Sequence, residues 1–246
     1  MTPLIEANDL HKSFGGIRAV NGVGFSLSEG EILGLIGPNG AGKTTVFNMI
    51  AGVYKPDRGI IKLDGKDITS LNSPTICQMG IARTFQITRP FPLLTVLDNV
   101  KLARAYGSKP AKTLEQAGAE ADAVLDFIGL KQKRTVISGR LGLIDRKRLE
   151  LGKALATRPR ILLLDEIMAG LNPTEIQAAI GLVKSIRDLR ISLIVIEHVM
   201  KAILGMSDRI IVLSEGKKIS EGLPKDVMCD RTVIEAYLGV DQHAGS

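Results

Sequence analysis

Apolar positions along this chain fall into two rhythms. Glu31-Ile-Leu-Gly-Leu-Ile36, Ile161 to Asp165, Ser192 to Glu197 and Arg209 to Ser214 are short, nearly unbroken apolar runs, which predict strands buried on both faces. Leu4 to Leu10 and Gly22 to Leu27 also read as strands. Gly59 to Asp64 alternates apolar and polar residues into an Asp64-Gly65 turn, a hairpin signal. A helical rhythm covers Thr44 to Ala51, closed by Gly52, and Thr174 to Leu189. From Thr95 to about Leu130 the chain is rich in Ala, Leu and Glu, broken at Gly107 and Pro110, and predicts a mostly helical insert. Strands separated by helices predict a parallel sheet in an α/β fold. There is no internal repeat.

The stretch between the third strand and the first helix carries the strongest chemical signal. Gly37-Pro-Asn-Gly40-Ala-Gly42-Lys43-Thr44 fits the phosphate-binding loop, in which a strand feeds a glycine-rich turn and a helix follows. Gly37, Gly40 and Gly42 let the backbone curl so that N–H groups face a phosphate, and the helix adds its positive end. Lys43 is the mobile charge for the β- and γ-phosphates, and Thr44 offers a hydroxyl to Mg²⁺.

A second site follows from the first. Arg160-Ile-Leu-Leu-Leu-Asp165-Glu166 is a strand with two carboxylates at its C-terminal end, the edge where open α/β sheets hold ligands. Asp165 is expected to hold Mg²⁺, and Glu166 to act as the general base that orients water.

Composition narrows the picture. The 246 residues are 45% hydrophobic and 24% charged, enough for one large domain with a real core. The net charge of +6 would suit nucleic acid, an anionic membrane surface or a nucleotide. An aromatic content of 4% without Trp argues against nucleic acid, so no nucleic-acid partner is expected. The basic run Lys131-Gln-Lys-Arg134 reads as a solvated face. Cys77 and Cys229 have no metal-ligand spacing and suit a reducing compartment. No signal peptide is visible, and the apolar runs are too short to span a bilayer.

With these sites placed, the chain resembles the ATP-binding subunits of ABC transporters over nearly its whole length. Arg83-Thr-Phe-Gln86 is similar to the family's Q-loop, with Gln86 near the metal and the attacking water. Ile196-Glu-His198 resembles the switch-histidine segment, with His198 on the γ-phosphate. Phe14 matches the adenine-stacking aromatic, although a core Phe is the alternative. Ala169-Gly170-Leu171-Asn172-Pro173 resembles the D-loop. The implied ATP contacts are Phe14, Gly37, Pro38, Asn39, Gly40, Ala41, Gly42, Lys43, Thr44 and Thr45. The implied metal set is Thr44, Gln86 and Asp165, and the implied catalytic set is Glu166, His198 and Gln86. The implied fold is a P-loop ATPase of α/β class with a mixed sheet core (residues 1–90 and 157–246), N-terminal antiparallel strands and an inserted helical subdomain at about 91–156.

Phe14-Gly-Gly16, Arg83-Thr-Phe-Gln86, the D-loop, Glu197-His198 and the tail Val233-Ile-Glu-Ala-Tyr-Leu-Gly239 resemble one branch, the branched-chain amino acid importers, and within it the first of two ATPase subunits. That likeness implies ATP and Mg²⁺ as cofactors. It implies two transmembrane permeases, a second ATPase or a self-dimer, and an external solute-binding protein as partners. It implies a peripheral place on the cytoplasmic face of the inner membrane. Arg89-Pro-Phe-Pro92-Leu-Leu94 is the expected contact with the permeases; a buried linker is the alternative. Urea and amide importers share this branch. A lipid or lipopolysaccharide exporter, an ABC-type ATPase acting on ribosomes or in DNA repair, and a nucleotide-binding regulator are further alternatives.

The signature motif departs from the family pattern. Its register, set by the helix Arg146 to Leu155, gives Leu141-Gly142-Leu143-Ile144-Asp145 in place of Leu-Ser-Gly-Gly-Gln. A hydroxyl is lost, β-branched Ile144 resists positive φ, and Asp145 suits a helix cap but repels phosphate. Either the branch tolerates a loose signature, or the ATP site completed by this signature is weak. Ile167 stands where the family has Pro, and Val199 where Asp is common.

Overall fold

The structure is a computed structural model and describes residues 3–84 and 90–238. Its backbone divides into two compact units, residues 1–70 with 194–246, and residues 71–193.

The first unit opens with β1 (Ile5–Phe14), β2 (Ile17–Leu27), β3 (Ile32–Ile36), α1 (Lys43–Ile50), β4 (Arg58–Leu63) and β5 (Lys66–Asp67). An antiparallel sheet of order β2-β1-β4-β5 is pinned by Ile5 facing Leu27 on one side and Leu63 on the other. Ile5, Ala7, Leu10, Val23, Leu27, Ile61 and Leu63 are buried, so a slip of one residue would turn this apolar set to water. The β4–β5 hairpin closes through Asp64 and Gly65, both at positive φ, as a two-residue turn of primed type requires.

The second unit holds α2 (Ser73–Gln78), β6 (Ile81–Arg83), α3 (Val96–Arg104), α4 (Leu114–Phe127), α5 (Leu143–Ala156), β7 (Ile161–Asp165) and α6 (Pro173–Asp188). β6 pairs in parallel with β7, Ile81 facing Ile161 and Arg83 facing Leu163. Thr95, Thr113 and Asn172 cap α3, α4 and α6 by accepting first-turn N–H groups. Val96 and Val100 of α3, Ala117, Ala121 and Leu125 of α4 and Leu149 and Leu151 of α5 are all buried. At Gly152 an added Cβ would meet Ile128 at 2.4 Å, so the absence of a side chain sets how closely α5 approaches. Arg104 is fully buried and donates to Glu120 and to the Lys109 carbonyl.

The chain returns to the first unit along β8 (Ser192–Ile196), whose residues span the boundary, followed by α7 (Met200–Met206), β9 (Arg209–Ser214), β10 (Lys217–Gly222), α8 (Pro224–Cys229) and α9 (Arg231–Leu238). Its strands lie in the order β10-β9-β3-β8. β3 runs parallel to β9, with Leu33 to Ile36 facing Arg209 to Val212, and β10 turns back antiparallel. All residues of β3, β7 and β8 are buried, and each such Ile or Leu contributes roughly 1.5–3 kcal/mol.

The expected strands and helices all form, and α3, α4 and α5 lie within 91–156 with no strand among them. Beyond those expectations, β1 and β2 extend to a tip at Phe14 and Ile17, and β6, β10, α2 and α7 to α9 complete the elements. Each ion of the Lys131–Arg134 run sits near acid: Lys131 with Asp126, Lys133 with Asp145 and Arg134 with Asp122. Both cysteines are free thiols.

Candidate functional site

The glycine loop joins buried β3 to α1. Gly37 has φ 146°, and a Cβ there would lie 2.0 Å from the Leu213 carbonyl oxygen. Gly42 has φ 98°, and a Cβ there would lie 2.4 Å from the Ala19 carbonyl oxygen. Both positions therefore exclude any side chain, by conformation and by space. Asn39 and Gly40 are exposed at the crest, and Ala41 is buried beneath it. Gly42 is the N-cap of α1, so no side chain competes for the helix's first N–H groups, which suits an anion. Lys43, only 6% exposed, donates from Nζ to the carbonyls of Gly37 at 2.7 Å and Pro38 at 2.9 Å. Thr44 is exposed and Thr45 half-buried.

Three further residues of the first unit bear on this loop or on the ligand expected there. His198 is exposed two residues after β8, the strand beside β3. Phe14 is 42% exposed at the end of β1, so it is not a core residue. Its ring meets Tyr54 edge-on at 5.1 Å, and Lys12 Nζ lies 5.7 Å from its centroid. Tyr237 of α9 is the third. Burial pushes its phenol pKa up, and the Gly37 backbone pulls the other way.

In the second unit the two acids stand at the end of β7. Asp165 is 2% exposed, and its Oδ2 accepts from Arg83 Nη2 at 3.1 Å. The Asp165 backbone N–H donates to the Thr84 hydroxyl at 3.2 Å. Glu166, half-buried, has φ 50°, a left-handed conformation that a non-glycine residue adopts at a cost of about 1–2 kcal/mol. Lys147 of α5 holds the following turn by donating to the carbonyls of Glu166, Ile167 and Ala169. Gly170, at φ 77°, is exposed, and Asn172 spends its side chain capping α6 in a reciprocal box with Glu175. Leu171 and Ile144 both line an apolar cavity of about 180 Å³ between α5 and α6.

The signature residues start α5. Gly142 is the N-cap, with φ −68° and ψ 169°. No residue from Leu141 to Asp145 is at positive φ, so the objection to Ile144 on conformational grounds does not hold. Asp145 does not cap the helix; it lies in the first turn and accepts from Lys133. Arg146 fixes the preceding turn through the carbonyls of Leu141 at 2.8 Å and Gly139 at 2.9 Å. Leu143 is exposed.

Gln86 and Arg89 lie outside the described residues. Of the remaining expected residues, the loop 37–45 and His198 follow neighbouring strands of the first unit. Asp165, Glu166 and the turn to Asn172 are gathered in the second. Sequence reasoning assigned no role to Arg83, Lys147 or Tyr237. A charge closing the short apolar stretch Ile81-Ala82 was the available signal for Arg83. Thr44 and Asp165 offer a hydroxyl and a carboxylate, hard oxygen donors of the kind Mg²⁺ takes.

A strand–glycine-loop–helix unit with its lysine, and a buried strand ending in two acids, define a nucleotide-hydrolysing P-loop protein. Comparison with known proteins narrows this. The family profile described as ABC transporter matches residues 20–169, and one described as branched-chain amino acid ATP-binding cassette transporter matches residues 217–243. The high-affinity branched-chain amino acid transport ATP-binding protein LivG of Salmonella typhimurium is 40% identical, over 96% of this chain and 98% of its own. The corresponding protein BraF of Pseudomonas aeruginosa is 37% identical over the same shares. Among solved structures, the ADP conformation of MJ1267, an ATP-binding cassette of an ABC transporter, superposes with a TM-score of 0.89 at 30% identity, covering 97% of this chain and all of the other. The chain belongs to the ABC transporter family and is one of its ATP-hydrolysing cassettes.

Proposed function

We propose that this chain is the ATPase motor of an importer for branched-chain amino acids. The observation that carries the proposal is the full-length likeness to transport subunits of that class, extending into the C-terminal segment matched at 217–243. Its partners are then two transmembrane permeases and a second ATPase or second copy, served by an external solute-binding protein. No helix among the described residues is long and apolar enough to cross a membrane. In the proposed assembly the permeases hold this subunit at the cytoplasmic face. The exposed ridge Phe91, Pro92, Leu93 and Leu94, with Leu93 at 87%, suits a contact with permease helices. The helical segment 91–156 acts as the subdomain that presents the signature to the opposite nucleotide.

The residues divide the work as follows. Phe14 stacks on the base, and the loop Gly37 to Thr45 cradles the phosphates. Lys43 exchanges the carbonyls of Gly37 and Pro38 for phosphate oxygens. The Thr44 hydroxyl and the Asp165 carboxylate are the groups that would hold Mg²⁺, which would supply positive charge to the phosphates. Glu166 accepts a proton from the attacking water, His198 contacts the terminal phosphate, and Gln86 senses both. Gly170 to Asn172 cross to the paired ATPase. Closure around nucleotide and reopening after hydrolysis form a population switch driven by differential contacts.

The test is reconstitution with the partner subunits in vesicles loaded with MgATP. Leucine uptake should require ATP, and Glu166→Gln should abolish uptake while nucleotide binding persists. Uptake unaffected by Glu166→Gln would overturn the proposal, and so would transport of a urea-type solute without leucine.

A further inference from the structure

The ion pair between Arg83 and Asp165 lies in the second unit, between neighbouring strands. β6 ends at Arg83 where β7 ends at Asp165, and the parallel register sets Arg83 opposite Leu163, two residues before the acid. The Arg83 side chain is 12% exposed and the Asp165 side chain 2%, so neither charge has free access to water. A carboxylate this deep is costly unless a cation faces it. Arg83 supplies that cation at 3.1 Å, and the neighbouring Thr84 fixes the backbone at the same place. Its hydroxyl accepts from the Asp165 N–H and its own N–H donates to the Leu163 carbonyl at 2.9 Å. The dipeptide thus holds both the main chain and the side chain of the acid that is to receive Mg²⁺.

From this geometry we infer that Arg83 is the resting counter-ion of Asp165, a positioning residue that holds the carboxylate in place and is partly displaced when a divalent cation arrives. The inference rests on the reading of Asp165 as the metal ligand. Two cations competing for one buried carboxylate cannot both hold it at full strength. Arg83 therefore weakens metal binding while stabilising the metal-free chain. A guanidinium 3.1 Å from the carboxylate offsets part of its attraction for a second cation, on the scale of roughly tenfold in affinity.

The experiment titrates Mg²⁺ against the full chain holding a fluorescent ATP analogue, with Mn²⁺ paramagnetic resonance as a direct count of bound metal. Arg83→Gln should lower the metal midpoint roughly tenfold, leave analogue affinity in EDTA unchanged, and lower the thermal midpoint in EDTA more than in Mg²⁺. Arg83→Lys, which keeps the charge, should return the metal midpoint to within about twofold of wild type. An unchanged or raised midpoint in Arg83→Gln would overturn the inference. If that variant does not fold, the ¹⁵N resonances of the Arg83 guanidinium in the wild-type chain decide. They should move when Mg²⁺ joins the bound analogue and stay in place with the analogue alone; no movement in either case overturns the inference. Asp165→Asn separates the two ideas. If it binds metal as well as wild type, the reading of Asp165 as the ligand has failed, whatever Arg83 does.

Discussion

The Lys43 ammonium donates to the carbonyl of Gly37, the first residue of the same loop. The charge proposed for a phosphate is therefore held on the backbone proposed to surround that phosphate. These bonds satisfy a nearly buried cation. Lys43→Ala should cut ATP hydrolysis by the assembled transporter at least about 100-fold. The thermal midpoint without nucleotide should fall by only a few degrees, because the loop keeps its glycine contacts. Hydrolysis rate and melting curve, measured side by side, check this.

Glu166 carries backbone strain at the position proposed for the base. Glu166→Gly should stabilise the chain by about 0.5–1 kcal/mol, the left-handed penalty less the entropy of an added glycine. Hydrolysis should be lost all the same. Denaturant titration checks the gain, and a variant less stable than wild type would show that φ 50° costs nothing at this site.

The Gly37 backbone bears on the Tyr237 phenol, which brings α9 beside the loop. Tyr237→Phe removes one hydrogen-bonding group from a half-exposed ring, so stability should hardly change. ATP affinity should weaken about 3- to 10-fold, one hydrogen bond's worth. Equilibrium binding of a fluorescent nucleotide reads the effect.

The pair Lys133–Asp145 balances a carboxylate at the start of α5. Uncapped N–H groups and a neutralised acid favour tolerance of the loose signature over a dead site. Lys133→Ala should raise the KM for ATP two- to fivefold, on the scale of one helix-end charge. Glu166→Gln here and the matching change in the partner ATPase should cost equal activity. A large inequality favours the alternative of one weak site.

Glu120 faces the buried Arg104, whose hydrogen bond is the main reason its carboxyl pKa lies below the ordinary 4.5; Arg158 adds to the effect. A depressed carboxylate pKa stabilises the fold above the unfolded value and loses that contribution as pH falls through the folded one. Glu120→Gln should therefore destabilise the chain by about 2 kcal/mol at neutral pH, leaving a buried guanidinium short of a partner. The deficit should shrink as pH drops below the ordinary 4.5. Unfolding curves at neutral and acid pH check the sign.

Burial on both faces is what made β3, β7, β8 and β9 legible, since no polar residue interrupts their cores. The β1–β2 tip was hidden because its residues face water: Ile17 is exposed and Ser13 and Phe14 are exposed with it, so no alternation marks them. β6 has three residues, too few for a period; its pairing with β7 makes it a strand. The loop 37–44 and the acids 165–166 were readable as motifs because their chemistry requires residue types at fixed spacing. Arg83 and Tyr237 were not, because each acts on a residue far away in sequence.

The Ala19 carbonyl beneath Gly42 limits how this gene can drift. An obstacle made of side chain can be trimmed by a second mutation elsewhere, but a main-chain oxygen is present whatever residue stands at position 19. Loss-of-function changes at Gly42 should thus yield only true revertants in a suppressor screen, with no compensating substitution at the neighbouring strand.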